Sequence, residues 1–478
     1  MKKLSYNKIV IGVVVFLTLV TALLLLLNTL SRPHIRYIDV DGGTNTAEFL
    51  DSKIKIYFST PIERSEGNKP VDFKKYISIE PAIDYNLTWG GNTLYIIPKD
   101  TLVEDTSYKI KVAQGFKDVY GNAVEKSFEY SFKTKPLEIT YLEKNYPKSK
   151  DRIISRNVKN ASFEVLFEDD NIKQYSVNKD FVVIITTRQD KTDNIKTFDL
   201  RTRAKRDLGL TKASIPIMDL SHAVDSFLFI YQEVEPKGQL LQPLSNSTIK
   251  IYDLNSQTVS DFNPGGTAKD VMDANFSPDG RSILYRSAES FYYLAPLDLS
   301  SDPIAIGRFI GTGGFNKDGT KIVFTNYDPL QTYSSFPFIV VFTSDRKTVQ
   351  ITDGSTYIVD PVFASKSDNI IFGNRYQDLL GAQGIFNTSE GVTDSTSNYT
   401  FKKIFDQTDE SLELPKPSWD DRYIVAERYN KNALLDYQNQ RSFVNQRKPY
   451  KADLVIYDTV DGKIITEIPN AIDAEWER

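Results

Sequence analysis

Ala274-Asn275-Phe276-Ser277-Pro278-Asp279-Gly280-Arg281-Ser282-Ile283-Leu284-Tyr285-Arg286 is the stretch whose reading decides the fold. An apolar strand ends on Phe276, Ser-Pro-Asp-Gly makes a tight turn, and a β-rich segment leaves it. Proline presets φ and glycine accepts positive φ, so the stretch reads as a hairpin with a backbone reason for every turn residue. The figure returns as Gly314-Phe315-Asn316-Lys317-Asp318-Gly319-Thr320-Lys321-Ile322-Val323-Phe324. It returns again, reduced, as Pro417-Ser418-Trp419-Asp420-Asp421-Arg422-Tyr423-Ile424-Val425. A sheet unit that recurs every few tens of residues points to a repeat architecture.

Its anchors can be followed from residue 137 onward: Gln174-Tyr175-Ser176, Met218-Asp219-Leu220-Ser221, Asn275-Phe276-Ser277, Gly314-Phe315-Asn316, Val362-Phe363-Ala364, Ser418-Trp419-Asp420 and Glu475-Trp476-Glu477. A strand follows each of the first six, such as Phe181-Val182-Val183-Ile184-Ile185. A third strand then ends in a polar turn, as in Ile249-Lys250-Ile251-Tyr252-Asp253-Leu254, and a weaker fourth follows. Four short strands per repeat of about 40–57 residues describe a β-propeller blade. The last anchor has no repeat after it. Arg152–Arg156 and Ser162–Phe167 read as second and third strands with no anchor before them. Joining the two ends closes a ring of seven blades, with six as the alternative, and removes the exposed sheet edges.

The unit resembles the TolB-like (WD40-like) propeller repeat, whose hallmark is aromatic-Ser-Pro-Asp-Gly, a strand, then Ile-Tyr-x-x-Asp. The Phe276 copy carries it best and the Phe315 copy well. The Gly-His pairs of a continuous WD40 repeat are absent, Trp-Asp occurs once, at Trp419-Asp420, and the sialidase Asp-box is absent.

Residues 35–136 contain about seven short strands, among them Ile54–Phe58, Tyr76–Ile79, Leu94–Ile97, Ser107–Val112 and Phe128–Phe132. That density suggests an immunoglobulin-like sandwich. The order Ile54–Phe58 with Pro61, Ile79-Glu80-Pro81, Leu94–Pro98, Tyr108-Lys109-Ile110, Lys117-Asp118-Val119-Tyr120-Gly121-Asn122 and Phe128–Thr134 is similar to the bacterial Ig-like domain of S-layer proteins. The resemblance implies a spacer or building block and transfers no chemistry. Glu104-Asp105 stand where that family usually has a glycine. Asp39-Val40-Asp41-Gly42-Gly43 lacks the remaining ligands of a calcium loop and reads as a solvated turn.

Ile9–Leu27 is almost wholly apolar, and Leu30 extends it to a length that crosses a ~30 Å hydrocarbon core at 1.5 Å per residue. It is longer than the apolar core of a cleaved signal peptide and lacks a small-x-small site after it. It therefore reads as an uncleaved signal anchor over residues 9–30, with residues 1–8 as a cytoplasmic tail. Lys2, Lys3 and Lys8 before it place the N-terminus inside, although Arg32 and Arg36 follow. The expected protein is single-pass in the cytoplasmic membrane, with an all-β ectodomain that is extracellular or periplasmic.

The formal net charge is −5, and those three lysines lie ahead of the anchor, so the ectodomain is more acidic still. An acidic surface argues against bulk nucleic-acid binding. With no cysteine and two histidines, thiolate catalysis and Cys-ligated metals are excluded, and no metal or cofactor is expected. No Gly-x-Ser-x-Gly elbow is present, and no acid pair stands out for a glycosidase. The chain thus reads as a non-enzyme, the alternative being a hydrolase or lyase with its site in the propeller channel.

Connections between second and third strands vary sharply. Gln232–Asn246, Asp328–Pro337, Asn374–Gln383 and Asn430–Lys451 are long, and propeller geometry gathers such loops on one face. Arg and Tyr are over-represented at binding hot spots. The candidate binding residues are accordingly Tyr327, Tyr333, Arg375, Tyr376, Tyr437, Arg441, Phe443, Arg447 and Tyr450. The expected function is a membrane-anchored binding and scaffolding protein whose loop face takes an envelope protein or polysaccharide.

Overall fold

The computed structural model describes residues 10, 11, 13–22, 33–40, 46–47, 53–66, 69–99, 102–145, 148–238, 240–267, 269–309, 311–325, 338–351, 358–365, 371–376, 383–388, 401–407, 410–430 and 452–476. The chain divides into two compact units, residues 1–136 and 137–478. Residues 10–11 and 13–22 are helical. Among the described residues no helix is long and apolar enough to cross a membrane.

The first unit is a sandwich of two four-stranded sheets. One runs Ile35–Val40, Ile54–Phe58, Thr93–Pro98, Tyr85–Gly90; the other runs Thr46–Ala47, Phe128–Thr134, Ser107–Val112, Ile77–Glu80. Ser107–Val112 alternates exposed and buried residues without a break, so Tyr108, Ile110 and Val112 meet Ile54, Ile56, Leu94 and Ile96 in the core. Period-two patterning on strands with one wet face produces this result. Asp105, in the turn where related domains carry glycine, adopts φ +51°, the left-handed conformation that glycine would accept freely.

The second unit contains, among the described residues, seven sheets, each with a four-strand antiparallel path. The sheet of the opening stretch is ordered Asp273–Phe276, Ser282–Arg286, Phe291–Pro296, Ile304–Arg308. The run Phe181–Thr187 shows why the second strands are apolar at every position. Val182 and Ile184 pack into one inter-sheet cluster, Val183 and Ile185 into the next. Such a strand is buried on both faces and needs no alternation. Seven apolar clusters each join consecutive sheets, including one that links Val425, Leu454 and Ile456 of the last complete sheet to Ile139 and Trp476. Sheets that each pack on two neighbours around a circuit form a seven-bladed propeller.

Closure is made by Ala471–Trp476, which pairs antiparallel with Glu138–Glu143 and becomes the innermost strand of blade 1. Here the expected strand order needs correction. Glu138–Glu143 is the second strand, so Asp151–Asn157 and Phe163–Asp169 are the third and fourth. Glu138–Glu143 has no anchor turn before it, because its hairpin partner comes from the other end of the unit.

The turns after the innermost strands of blades 4 and 7 are each fastened by a side chain. The Ser277 hydroxyl donates to Asp279 at 2.6 Å and accepts from the Ser282 backbone N–H at 2.9 Å. That hydroxyl contact, more than any other influence, holds the Asp279 carboxyl below the usual carboxylate range. Gly280 sits at φ +69°, and a Cβ there would meet Ala223 and Val224 at 3.2 and 3.1 Å. In blade 7, Ser418 makes the same contacts to Asp420 and the Tyr423 N–H, while Asp421 takes the left-handed position at φ +58°. Pro417 therefore stands where Phe276 stands, and Trp419 where Pro278 stands. Centring that copy on Trp419 sets its anchor two residues late. Ser277→Ala leaves the Ser282 N–H without this acceptor and is expected to cost about 1–2 kcal/mol in urea unfolding of the propeller. Ser418→Ala should cost a similar amount.

Candidate functional site

Antiparallel alternation places every connection between second and third strands on one rim of the ring. The described part of that rim is dominated by blade 3. Its second strand, Ser226–Lys237, runs twelve residues, and Leu240–Pro243 returns along its far end. The expected insertion Gln232–Asn246 is thus an extension of the blade as a β-hairpin. Ala213–Ser214 pairs with Gln232 and Glu233 and braces its base, burying Val234. Beyond that brace the hairpin is open, and Leu240 is 70% exposed.

Of the nine residues expected to bind, Arg375 and Tyr376 end the second strand of blade 6, Ile371–Tyr376, where the connection leaves for the rim. Their backbones pair with Gly384 and Gln383. Tyr327, Tyr333, Tyr437, Arg441, Phe443, Arg447 and Tyr450 lie outside the described residues.

A second group, not singled out in the sequence, lines the channel between the innermost strands. Asp219 of blade 3 accepts the Phe276 N–H of blade 4 at 2.7 Å. Glu475 of the closing strand accepts the Val177 N–H of blade 2 at 3.1 Å. Burial pushes both carboxyls up to about 7; the charges of Glu475 and Asp273 add to the effect at Asp219 and that of Asp473 at Glu475, where Lys416 opposes it. Each acid precedes the apolar anchor of its repeat, in Asp219-Leu220 and Glu475-Trp476, at the position held by Asn275 and Gly314 in other copies. That recurring position was the available signal. The unpaired edge of an innermost strand explains it, because its N–H groups face the channel and need acceptors.

Two buried aspartates on the rim side have a structural role. Asp151 accepts the Ile172 N–H at 2.9 Å and pairs with Lys144 at 2.5 Å, while Lys144 donates to the Ile172 carbonyl at 2.7 Å. One blade on, Asp193 accepts the Ile215 N–H at 2.8 Å and pairs with Lys173 at 2.6 Å; Lys173 donates to the Ile215 carbonyl at 3.0 Å. Each pair clips the segment that enters the next blade. Among the described residues no group of three or more His, Cys, Asp or Glu side chains is placed to hold a metal ion.

Residues 33–134 match the family model described as the bacterial Ig-like domain. No curated protein matches the chain. Its structure is similar to the putative TolB of Agrobacterium tumefaciens, at 16% identity and TM-score 0.40 over 58% of this chain and 89% of that one. It is similar to TolB of Acinetobacter baumannii, at 11% identity and TM-score 0.41 over 80% and 81%. The propeller domain of the Trilobed protease of Pyrococcus furiosus, of open velcro topology, is similar at 13% identity and TM-score 0.46 over 69% and 91%.

Proposed function

We propose that this is a membrane-anchored extracytoplasmic binding and scaffolding protein that recruits an envelope protein or polymer on the insertion-rich rim of its propeller. The observation that carries the reading is the blade 3 hairpin, which runs past the blade and presents Leu240 and Leu244 to solvent. Scaffold turns stay short, and a braced extension with exposed apolar side chains has no role in closing the ring. The anchor is supported by the N-terminal helical residues. Thr18 and Thr21, the hydroxyl side chains among its described residues, donate to the Val14 and Leu17 carbonyls at 2.9 and 2.8 Å. The hydroxyls are thereby satisfied within the helix, as a hydrocarbon environment requires.

Two deletions test the reading on the full chain in detergent. Replacing residues 235–242 by a two-residue turn, or removing residues 431–450, should lower co-purification of envelope partners at least tenfold while the propeller's melting temperature holds. Unchanged partner recovery in both variants would remove the rim from consideration.

Asp219 and Glu475 favour a second reading, an extracytoplasmic hydrolase or lyase working in the channel, since carboxyls that titrate near 7 suit general acid–base chemistry. Both already hold a backbone N–H of the next blade, which supports the binding protein over the enzyme.

A further inference from the structure

The two outer faces of the Ig-like sandwich have the same duty toward solvent and different compositions. One is laced with ion pairs, including Lys109–Glu129 at 2.7 Å, Lys111–Glu129 at 3.6 Å and Lys133–Asp105 at 2.5 Å. This is how an ordinary solvated sheet face is built. The other carries tyrosines. Tyr37 and Tyr57 are cross-strand partners whose rings stack at 4.3 Å with an interplanar angle of 23°. Tyr37 lies on the edge strand and is 51% exposed, so the stack covers one face of its ring and leaves the other to solvent.

Tyr95, two strands in, shares this outer face by alternation and lies against Gly90. A Cβ at Gly90 would come within 2.9 Å of the Tyr95 ring. The missing side chain lets that ring lie down along the sheet. Asn86 and Thr88 are exposed in the neighbouring strand, Thr88 directly opposite Tyr95. Lys55 and Asp39 face each other across strands in the same rows, so their charges cancel. Arg36, the exposed bulge residue beside Tyr37, and Lys53, exposed just ahead of Ile54, are further charges among the described residues of this edge, and Lys99 pairs with Asp84 at 3.2 Å at the opposite one.

We propose that this tyrosine face binds an uncharged glycan chain. Sugar rings present flat C–H faces that suit an open aromatic ring, and their equatorial hydroxyls need amide, hydroxyl and ionic partners beside it. Asn86, Thr88, Lys55 and Asp39 supply those partners. Pairing of Lys55 with Asp39 and of Lys99 with Asp84 cancels most of the charge on this face, whereas an anionic polymer would require a surplus of cations. This site lies wholly within the Ig-like unit and stands whether or not the propeller rim recruits a protein.

Affinity electrophoresis of the full chain in native detergent gels tests it, with dextran, glycogen, laminarin and hydroxyethyl cellulose as neutral probes and polygalacturonate as the anionic one. Retardation by at least one neutral polysaccharide is expected, weakened tenfold or more by Tyr37→Ala and by Gly90→Ala, which displaces the Tyr95 ring. Tyr37→Phe, which keeps the ring face, should bind within about threefold of the parent. Melting curves of the Ig-like transition separate lost binding from lost folding. No retardation by any neutral probe, equal retardation of the Tyr37→Ala protein, or retardation by polygalacturonate alone would each overturn the proposal. So would self-association in sedimentation that Tyr37→Ala abolishes, since a second copy would then be the occupant.

Discussion

Trp476→Ala should cost the propeller about 3–5 kcal/mol, the usual range for truncating a large buried aromatic side chain, and leave the Ig-like unit's transition in place. The effect is large because of where the residue stands. Trp476 closes the ring: its side chain packs with Ile139, Val425 and Leu454, and its indole N–H donates to the Lys416 carbonyl at 2.8 Å. Truncation therefore opens a cavity between blades 7 and 1 and leaves a carbonyl without its donor. The same strand holds the ring on its other side, where the Tyr175 hydroxyl reaches the Thr140 and Asp473 carbonyls at 2.7 and 2.6 Å. Urea unfolding followed by tyrosine and tryptophan fluorescence should show the propeller midpoint displaced and the sandwich midpoint fixed. A Trp476→Phe protein, which keeps most of the volume but not the N–H, should fall between the two. A Trp476→Ala midpoint within error of the parent's would mean that closure does not limit stability.

The division between what the sequence made legible and what it did not follows the range of the interactions. The Ser277–Ser282 turn was readable because all its chemistry lies within six residues. Doubly buried second strands were readable for the same reason, since packing on two neighbours demands an unbroken apolar run. The Trp419 copy was misplaced because an aromatic residue imitates the anchor, whereas Ser418 is the residue that makes the turn's hydrogen bonds. Asp151 and Asp193 sit among many turn aspartates in the sequence, and only the fold brings each to a backbone N–H more than twenty residues away. Asp219 and Glu475 escaped notice in the same way, their acceptor role being set by blades that the chain reaches later or earlier. The candidate rim was legible as loop length alone, and the blade 3 hairpin gives that length a shape.

The channel carboxyls make the propeller's stability depend on pH in a defined direction. An isolated carboxyl in the unfolded chain titrates near 4, whereas burial pushes Asp219 and Glu475 up to about 7. Between those values the folded protein retains protons that the unfolded chain releases. Stability therefore falls as pH rises from about 4.5 to 7, by up to about 1.4 kcal/mol per pH unit for each group, and levels off above 7. The groups facing the pair set the size of the effect: Asp273 and Asp473 oppose ionisation, and Lys416 favours it at Glu475. Below pH 4 the turn carboxylates reverse the trend. Asp279, held low by Ser277, and Asp253, held low by the Ser256 N–H, contribute stability that is lost on protonation. Asp219→Asn and Glu475→Gln keep an oxygen that can accept the Phe276 and Val177 N–H groups but cannot ionise. The doubly substituted protein should match the parent at pH 4.5, exceed it at pH 7.5 and show a flat profile between them. Urea midpoints across that range decide the matter. A parent profile already flat from pH 5 to 7, or one whose slope survives both substitutions, would show that the two acids do not share a closed channel.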